Sequence, residues 1–541
     1  MLPYFLLAAP PARTARTENH AEIVRPQQTS ELSSRIRWAA ALATAVLWWL
    51  AGQKWGWFAL GWVALTPLLW ALRGLDGRAR FRFGWAAGAL CFALLNWWIA
   101  PTIARGSPMI GCPPILGFGL GLFAVSFIAL VHGAQVAVVA WLWNPQSTLM
   151  HRCPWLLPIV VAVAWGALDW LRGSGQMGHM WGAIAYTQWR DVALLQSASF
   201  LGQHGLSALC VWFAASLALW NTRQDAPGYV WSAPVAIWVA LHSWGLWRIA
   251  MLPPPSRTLK VLLVQTNVPS LHKHVGGNET PFSQAMRLTQ DAMARERFDL
   301  VLWPETTAQM LRGTNLQGQN TFSGLDAVML HEMARQSGTN FLIGARTQGI
   351  GALGEISARN EAIFFDGRTV QNTAKQRTVP FGERAFFSEQ LPFLKAFAPQ
   401  PPIDPQRGKV LRWSSPVGEI AAGVVICFES CFPNPATDRV REGARILTIL
   451  TNDEWFAGTN APWEHAAMAT LRAVESDVPV VQVANGGYSF VVDRRGRFVT
   501  SNGREERDVV KTTLHSPMNY PDSALSQWGK AQALSVQVPL N

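Results

Sequence analysis

The feature that most constrains this chain is a train of apolar segments between Ile36 and Ala250, each close to the roughly 20 residues a helix needs to cross a bilayer. They run at about 36–51, 55–72, 83–104, 115–143, 155–171, 191–220 and 229–250. Lipid offers no partner to an unpaired backbone group, so such segments must become helices. Seven crossings are expected. A set of soluble core helices would also be apolar, but soluble domains do not carry so many nearly uncharged segments in series. The composition agrees, with charged residues at 15% and 28 tryptophans, far above ordinary usage for a soluble enzyme.

The loops orient this bundle. "RGLDGRARFR" after the second segment carries Arg73, Arg78, Arg80 and Arg82, and the tail at 1–35 is also basic and reads as disordered. Both are expected in the cytoplasm, which puts everything after Ala250 on the other side. The formal charge of +11 does not indicate nucleic acid, because the arginines are scattered and several flank apolar segments. Six cysteines in 541 residues, with no CxxC and no Cys/His cluster, give neither a disulfide framework nor a zinc site, so no metal is expected.

At "MLPPPSRTLK" the character changes. Short β-branched runs such as "LKVLLVQTNV", "FDLVLWPE", "TNFLIGAR" and "EIAAGVVIC" alternate with the amphipathic stretches "SQAMRLTQDAMARE" and "GLDAVMLHEMARQSG". Fully apolar strands separated by helices predict an α/β domain over 257–510. Active groups are expected at its strand ends. The remainder, 511–541, reads as a tail without a transmembrane helix.

Three strand-end residues suit one chemistry: Glu305 in "LWPETT", Lys375 in "NTAKQRTVPFGE" and Cys427 in "VICFES". A thiol attacks an acyl carbonyl as thiolate, which needs a base, and a cation stabilises the oxyanion that forms. Singly, each residue also has a plain structural reading as small hydrophobe, helix cap or solvated lysine.

Together, "WPET", "KQRTVPFGE" and "CFES" in that order resemble the Glu-Lys-Cys pattern of the nitrilase, or carbon–nitrogen hydrolase, superfamily. Joined to a multi-span bundle, the chain is similar to the bacterial apolipoprotein N-acyltransferase family, with further likeness in "GHMWGAIAYTQW", "LLQSASFLGQHGLSAL", "TNDEWF" and "VANGGYS". The resemblance implies a transmembrane helical bundle followed by an α/β nitrilase-like domain, a four-layer α-β-β-α sandwich. It implies Cys427 as nucleophile, Glu305 as general base and Lys375 as oxyanion-stabilising cation. Glu383 would stand beside the triad, Glu429 near the substrate, and Phe428, Trp455 and Phe456 along an apolar entrance. Cys431 and His465 read as packing and scaffold.

The implied reaction moves an acyl chain from a phospholipid to Cys427, and then to the α-amino group of a diacylglyceryl-modified cysteine on an apolipoprotein. It needs no cofactor. The resemblance also implies a monomer in the bacterial inner membrane, with its catalytic domain on the periplasmic side. The chain departs from the family pattern at Met180, His274, Phe428, Glu454, Ala457 and Gln482. Those departures keep open a membrane-tethered amidase, or an N-acyltransferase with another amine acceptor.

Overall fold

A computed structural model of the protein describes residues 32–147, 152–222, 226–269, 280–350, 354–398, 401–499 and 531–540. The first half is helical: α1 (Ser34–Ala51), α2 (Thr66–Ala71), α3 (Gly77–Leu95), α4 (Ile99–Gly106), α5 (Pro114–Leu142), α6 (Leu156–Arg172), α7 (Val192–Leu195), α8 (Ala198–Thr222) and α9 (Tyr229–Ala250). Two of the described helices, α5 and α8, are long and apolar enough to cross a membrane, or three if the α3–α4 pair, bent by 50°, is one span. The segment expected at 55–72 forms only a 3-10 turn, Phe58–Trp62, and the six-residue α2. Its glycines and Pro67 explain the interruption: Gly56 has φ 73°, and a side chain at Gly61 would strike Thr187. The segment expected at 191–220 breaks at Gly202, whose φ is 63°. Between α3 and α5 the backbones meet so closely that a Cβ on Gly88 would lie 2.9 Å from the Gly133 carbonyl oxygen, the small-residue seam typical of packed apolar helices.

The ends of these helices sort into two groups. At one, Arg37 of α1 bonds the Arg73 carbonyl at 3.0 Å, and Gly77 of α3 lies against Trp141 of α5. At the other, Gly52 after α1 accepts from Asn460, Gly173 after α6 accepts from Arg377, and Arg248 of α9 reaches Asp477. The arginine-rich loop and the C-terminal domain therefore occupy opposite ends of the bundle.

The C-terminal half contains β1 (Arg257–Gln265), α10 (Pro281–Met293), β2 (Leu300–Thr314), β3 (Asn320–Ser323), α11 (Leu325–Ser337), β4 (Asn340–Ile350), β5 (Ile356–Phe365) and β6 (Val370–Ala374). Then follow β7 (Val410–Ser415), β8 (Gly418–Ile426), α12 (Pro433–Arg441), β9 (Ile446–Thr451), α13 (Ala461–Ser476), β10 (Val480–Ala484), β11 (Phe490–Val492) and β12 (Gln532–Leu540). One sheet has the order β12-β1-β2-β4-β5-β6 with β3 paired to β2, and the other β11-β10-β9-β8-β7.

Strand alternation builds the layers. Leu259, Val261, Leu263, Leu300 and Leu302 face Ala422, Val424, Ile426 and Val481 in the core between the sheets. Their neighbours Leu262, Val301 and Trp303 pack under α10 and α11 with Phe282, Met286 and Leu330, while Val425, Ile449 and Val480 pack under α12 and α13 with Ala436 and Ala466. The result is the expected α-β-β-α sandwich. The boundary expected at Val510 falls short, because the stretch read as a tail returns as β12, antiparallel to β1 with Val538 opposite Leu259. Its signal is weak in the sequence, and Pro539 argues against a strand. As the outermost strand, β12 tolerates the proline.

Candidate active site

Glu305, Lys375 and Cys427 come together where the two sheets meet. Glu305 lies in a bulge of β2, where the register against β4 shifts between Trp303 and Ala308 and Thr306 adopts φ 53°. The bulge is accommodated by Gly344 of β4, since a Cβ there would sit 2.3 Å from the Pro304 carbonyl oxygen. Lys375 follows β6 directly. Cys427 follows β8 and opens a 3-10 turn with φ 52°, a left-handed conformation costing a non-glycine residue about 1–3 kcal/mol and characteristic of functional positions.

The polar contacts are dense. Lys375 Nζ donates to Glu305 Oε1 at 3.0 Å and to Glu383 Oε1 at 2.9 Å. Asn360 Nδ2 donates to the same two oxygens, at 2.6 and 3.0 Å. Glu383 Oε2 accepts the Val379 N–H at 2.8 Å, so Glu383 fixes both Lys375 and its own loop. The Cys427 thiol lies within electrostatic reach of both Glu305 and Lys375.

Electrostatics assign the resting protons. Burial pushes the Cys427 thiol well above its ordinary range, the Glu305 charge adds to this, and Lys375 only partly opposes it. Burial also disfavours the Glu305 carboxylate, but Lys375 and Asn360 more than compensate and hold its pKa below the ordinary value. For Lys375, burial is outweighed by Glu305 and Glu383, so it stays charged. The site rests as thiol, carboxylate and ammonium. A carboxylate beside a thiol can take its proton as the sulfur attacks, and the ammonium can balance a developing oxyanion. Among the described residues no group of three or more His, Cys, Asp or Glu side chains could hold a metal ion.

The other expected site residues have varied surroundings. Glu429 is buried with both oxygens turned onto backbone: Oε1 accepts Gln376 N–H at 2.6 Å and Arg377 N–H at 3.0 Å, and Oε2 accepts Ile426 N–H at 2.8 Å. It clamps the loop after Lys375 to the end of β8. Phe428 packs edge-on against Phe432, on which the Arg377 guanidinium rests at 4.0 Å. Phe456 meets the bundle through Trp98 at 5.0 Å and Trp181 at 5.7 Å. The Trp455 carbonyl accepts from Arg105 at the end of α4, as does that of Ala457. Cys431 is buried, and its carbonyl accepts from Tyr186. Met180 is buried against Gly173, and Gln482 donates to the Tyr488 carbonyl at 2.9 Å. His274 lies outside the described residues.

Sequence reasoning missed Asn360, Thr451 and Asp453. The signal for Asn360 was present in "RNEAIFFD", where an amide inside an apolar strand must find buried partners. His465, expected as scaffold, lies directly behind Cys427.

Residues 44–216 match the family model for the apolipoprotein N-acyltransferase N-terminal domain, and residues 260–519 match that for carbon-nitrogen hydrolase. A protein of Gloeobacter violaceus named apolipoprotein N-acyltransferase is 30% identical over 470 residues, covering 84% of this chain and 83% of its own. The chain belongs to the apolipoprotein N-acyltransferase family. A Geobacter metallireducens apolipoprotein N-acyltransferase is 29% identical over 449 residues, 81% of each chain. The solved structure of Saccharomyces cerevisiae Nit3, a member of branch 10 of the nitrilase superfamily, covers 49% of this chain and 97% of its own at 19% identity and a TM-score of 0.34. The two family models divide the chain near the proline-rich hinge, as the structure does.

Proposed function

We propose that this chain transfers a fatty acyl group from a membrane phospholipid to the N-terminal amine of diacylglyceryl-modified apolipoproteins, through a thioester on Cys427. The observation that carries this reading is the buried contact of Cys427, Glu305 and Lys375, in a domain whose aromatic mouth is shared with the helical bundle.

In the first half-reaction Glu305 takes the Cys427 proton and the sulfur attacks the ester carbonyl of the phospholipid. The oxyanion collapses against Lys375, the carbon–oxygen ester bond breaks, and lysophospholipid leaves with the proton from Glu305. In the second, the acceptor amine attacks the thioester, Glu305 relays its proton, and the carbon–sulfur bond breaks to give an amide and free Cys427. One acyl bond replaces another, so no energy source is required.

The two-ended bundle supports the proposed topology. With the basic loop at the cytoplasmic end, the domain at the opposite end would lie outside the cytoplasm, next to the outer leaflet of the inner membrane. Arg105, Trp98 and Trp181 come from the bundle and touch the mouth loop of the catalytic domain, which suits substrates anchored in lipid.

The test is to deplete the resident enzyme from a bacterium that depends on it, express this chain, and read lipoprotein N-termini by mass spectrometry. Triacylated termini are expected. Diacylated termini that persist despite good expression overturn the proposal.

A further inference from the structure

Two buried titratable groups beneath the nucleophile take no part in this mechanism: His465 of α13, and Asp453 just after β9. His465 Nδ1 is 2.8 Å from Asp453 Oδ1. Its Nε2 is 2.6 Å from Ser430 Oγ and 3.1 Å from the carbonyl oxygen of Cys427. Ser430 Oγ itself donates to that carbonyl at 3.0 Å. A carboxylate faces one ring nitrogen and a peptide carbonyl the other, and neither has a proton to give. With the Ser430 hydroxyl donating to the Cys427 carbonyl, Nε2 is left to donate as well, and both ring nitrogens are then N–H donors, the imidazolium form.

Asp453 Oδ1 also accepts from Thr451 Oγ1 at 2.7 Å, at the end of β9. Cys427 is thus gripped at its carbonyl by His465 and Ser430, and Asp453 ties His465 to Thr451. We propose that His465 and Asp453 form a buried ion pair that pins the left-handed Cys427 elbow, making His465 a positioning residue for the nucleophile. It touches neither the sulfur nor a reacting carbonyl.

The groups facing the imidazole are Asp453 from the β9 loop, Cys427 from the elbow and, further off, Glu305 from β2, with the Trp181 ring of the bundle 5.7 Å away. Burial disfavours its charge, but Asp453 outweighs burial and raises its pKa. The charged form, and the grip it provides, are therefore lost as pH rises through that raised value.

This inference rests on Cys427 being the nucleophile of the proposed reaction, and its test uses readouts that need no substrate. In the full-length protein in detergent, deuterium exchange at the histidine C2 position, followed by mass spectrometry, gives the titration midpoint of His465 itself. The midpoint is expected above the ordinary histidine value, and lower in D453N. Alkylation of Cys427 by iodoacetamide near neutral pH is expected to slow about 100-fold in H465L but to stay within about tenfold in H465Q, which keeps a donor for the carbonyl.

A wild-type midpoint at or below the ordinary value overturns the inference. So does a folded H465L protein that alkylates at the wild-type rate. Should H465L fail to fold, the wild-type and D453N midpoints decide alone. If these results hold while the wild type forms no acyl thioester from phospholipid, the acyl-transfer reading falls and the ion pair stands.

Discussion

The triad and the seam between bundle and catalytic domain both bury polar groups, but on different partners. In the triad, charged side chains meet one another: Lys375 lies between Glu305 and Glu383, with Asn360 bridging the same oxygens. Along the seam, most charged side chains end on backbone. Arg105 holds the Trp455 and Ala457 carbonyls, Arg377 holds that of Gly173, and Glu475 takes the Gln203 N–H. A backbone amide cannot titrate, so such contacts fix geometry and leave charge unchanged. Side chains facing each other can exchange protons, and chemistry belongs there. Other seam contacts join side chains, as Arg248 with Asp477 and Arg472 with Gln203, and a titrating exception is Glu464, which accepts from Trp181 and Asn460 and whose pKa burial raises to about 7.

Substitutions can break this contrast. C427A should remove the acyl-enzyme and reduce transfer by at least about 10⁴-fold, measured by intact-protein mass after incubation with phospholipid. K375M should lower transfer about 10³-fold. It should also destabilise the fold by about 3–5 kcal/mol, because it leaves the buried Glu305 and the half-buried Glu383 without their cation. That loss should shrink in acid, where protonation relieves the buried Glu305. A melting series from pH 5 to 8 checks it.

E464Q probes the exception. With its folded pKa near 7 against 4.5 unfolded, Glu464 keeps its proton in the fold while the unfolded chain releases it. Stability should therefore fall as pH rises from the lower value to the higher. Removing the charge should stabilise the protein by on the order of 3 kcal/mol at pH 8 and by little near pH 4.5. Equal melting shifts at both pH values would place Glu464 among the non-titrating contacts. R105Q should have the smallest effect. Losing its bonds to the Trp455 and Ala457 carbonyls should raise the KM for phospholipid about fivefold and leave kcat nearly unchanged. A fall in kcat instead would mean that the seam reaches the chemistry.

Legibility followed the range of the interactions. Apolar runs such as "ILTILT" and "GEIAAGVVI" are local patterns, and each is a buried strand. The three triad residues could be singled out because each closes a recognisable word. Glu429 shows where a word says too little. Its place two residues from the nucleophile was readable, but not that three backbone N–H groups hold its carboxylate. β12 shows the opposite case, a strand whose nine residues have meaning only beside β1.

By itself the sequence determined the two-part architecture, the apolar bundle with its basic end, the alternating α/β pattern and the residue types able to perform acyl transfer. Only the tertiary structure decided that Asn360 shares the carboxylates of Glu305 and Glu383, that Glu429 is a backbone clamp, and that His465 and Asp453 lie beneath Cys427. The physical reason is that burial and periodicity act between near neighbours, whereas these contacts join residues far apart in the chain, brought together only when the two sheets close on each other.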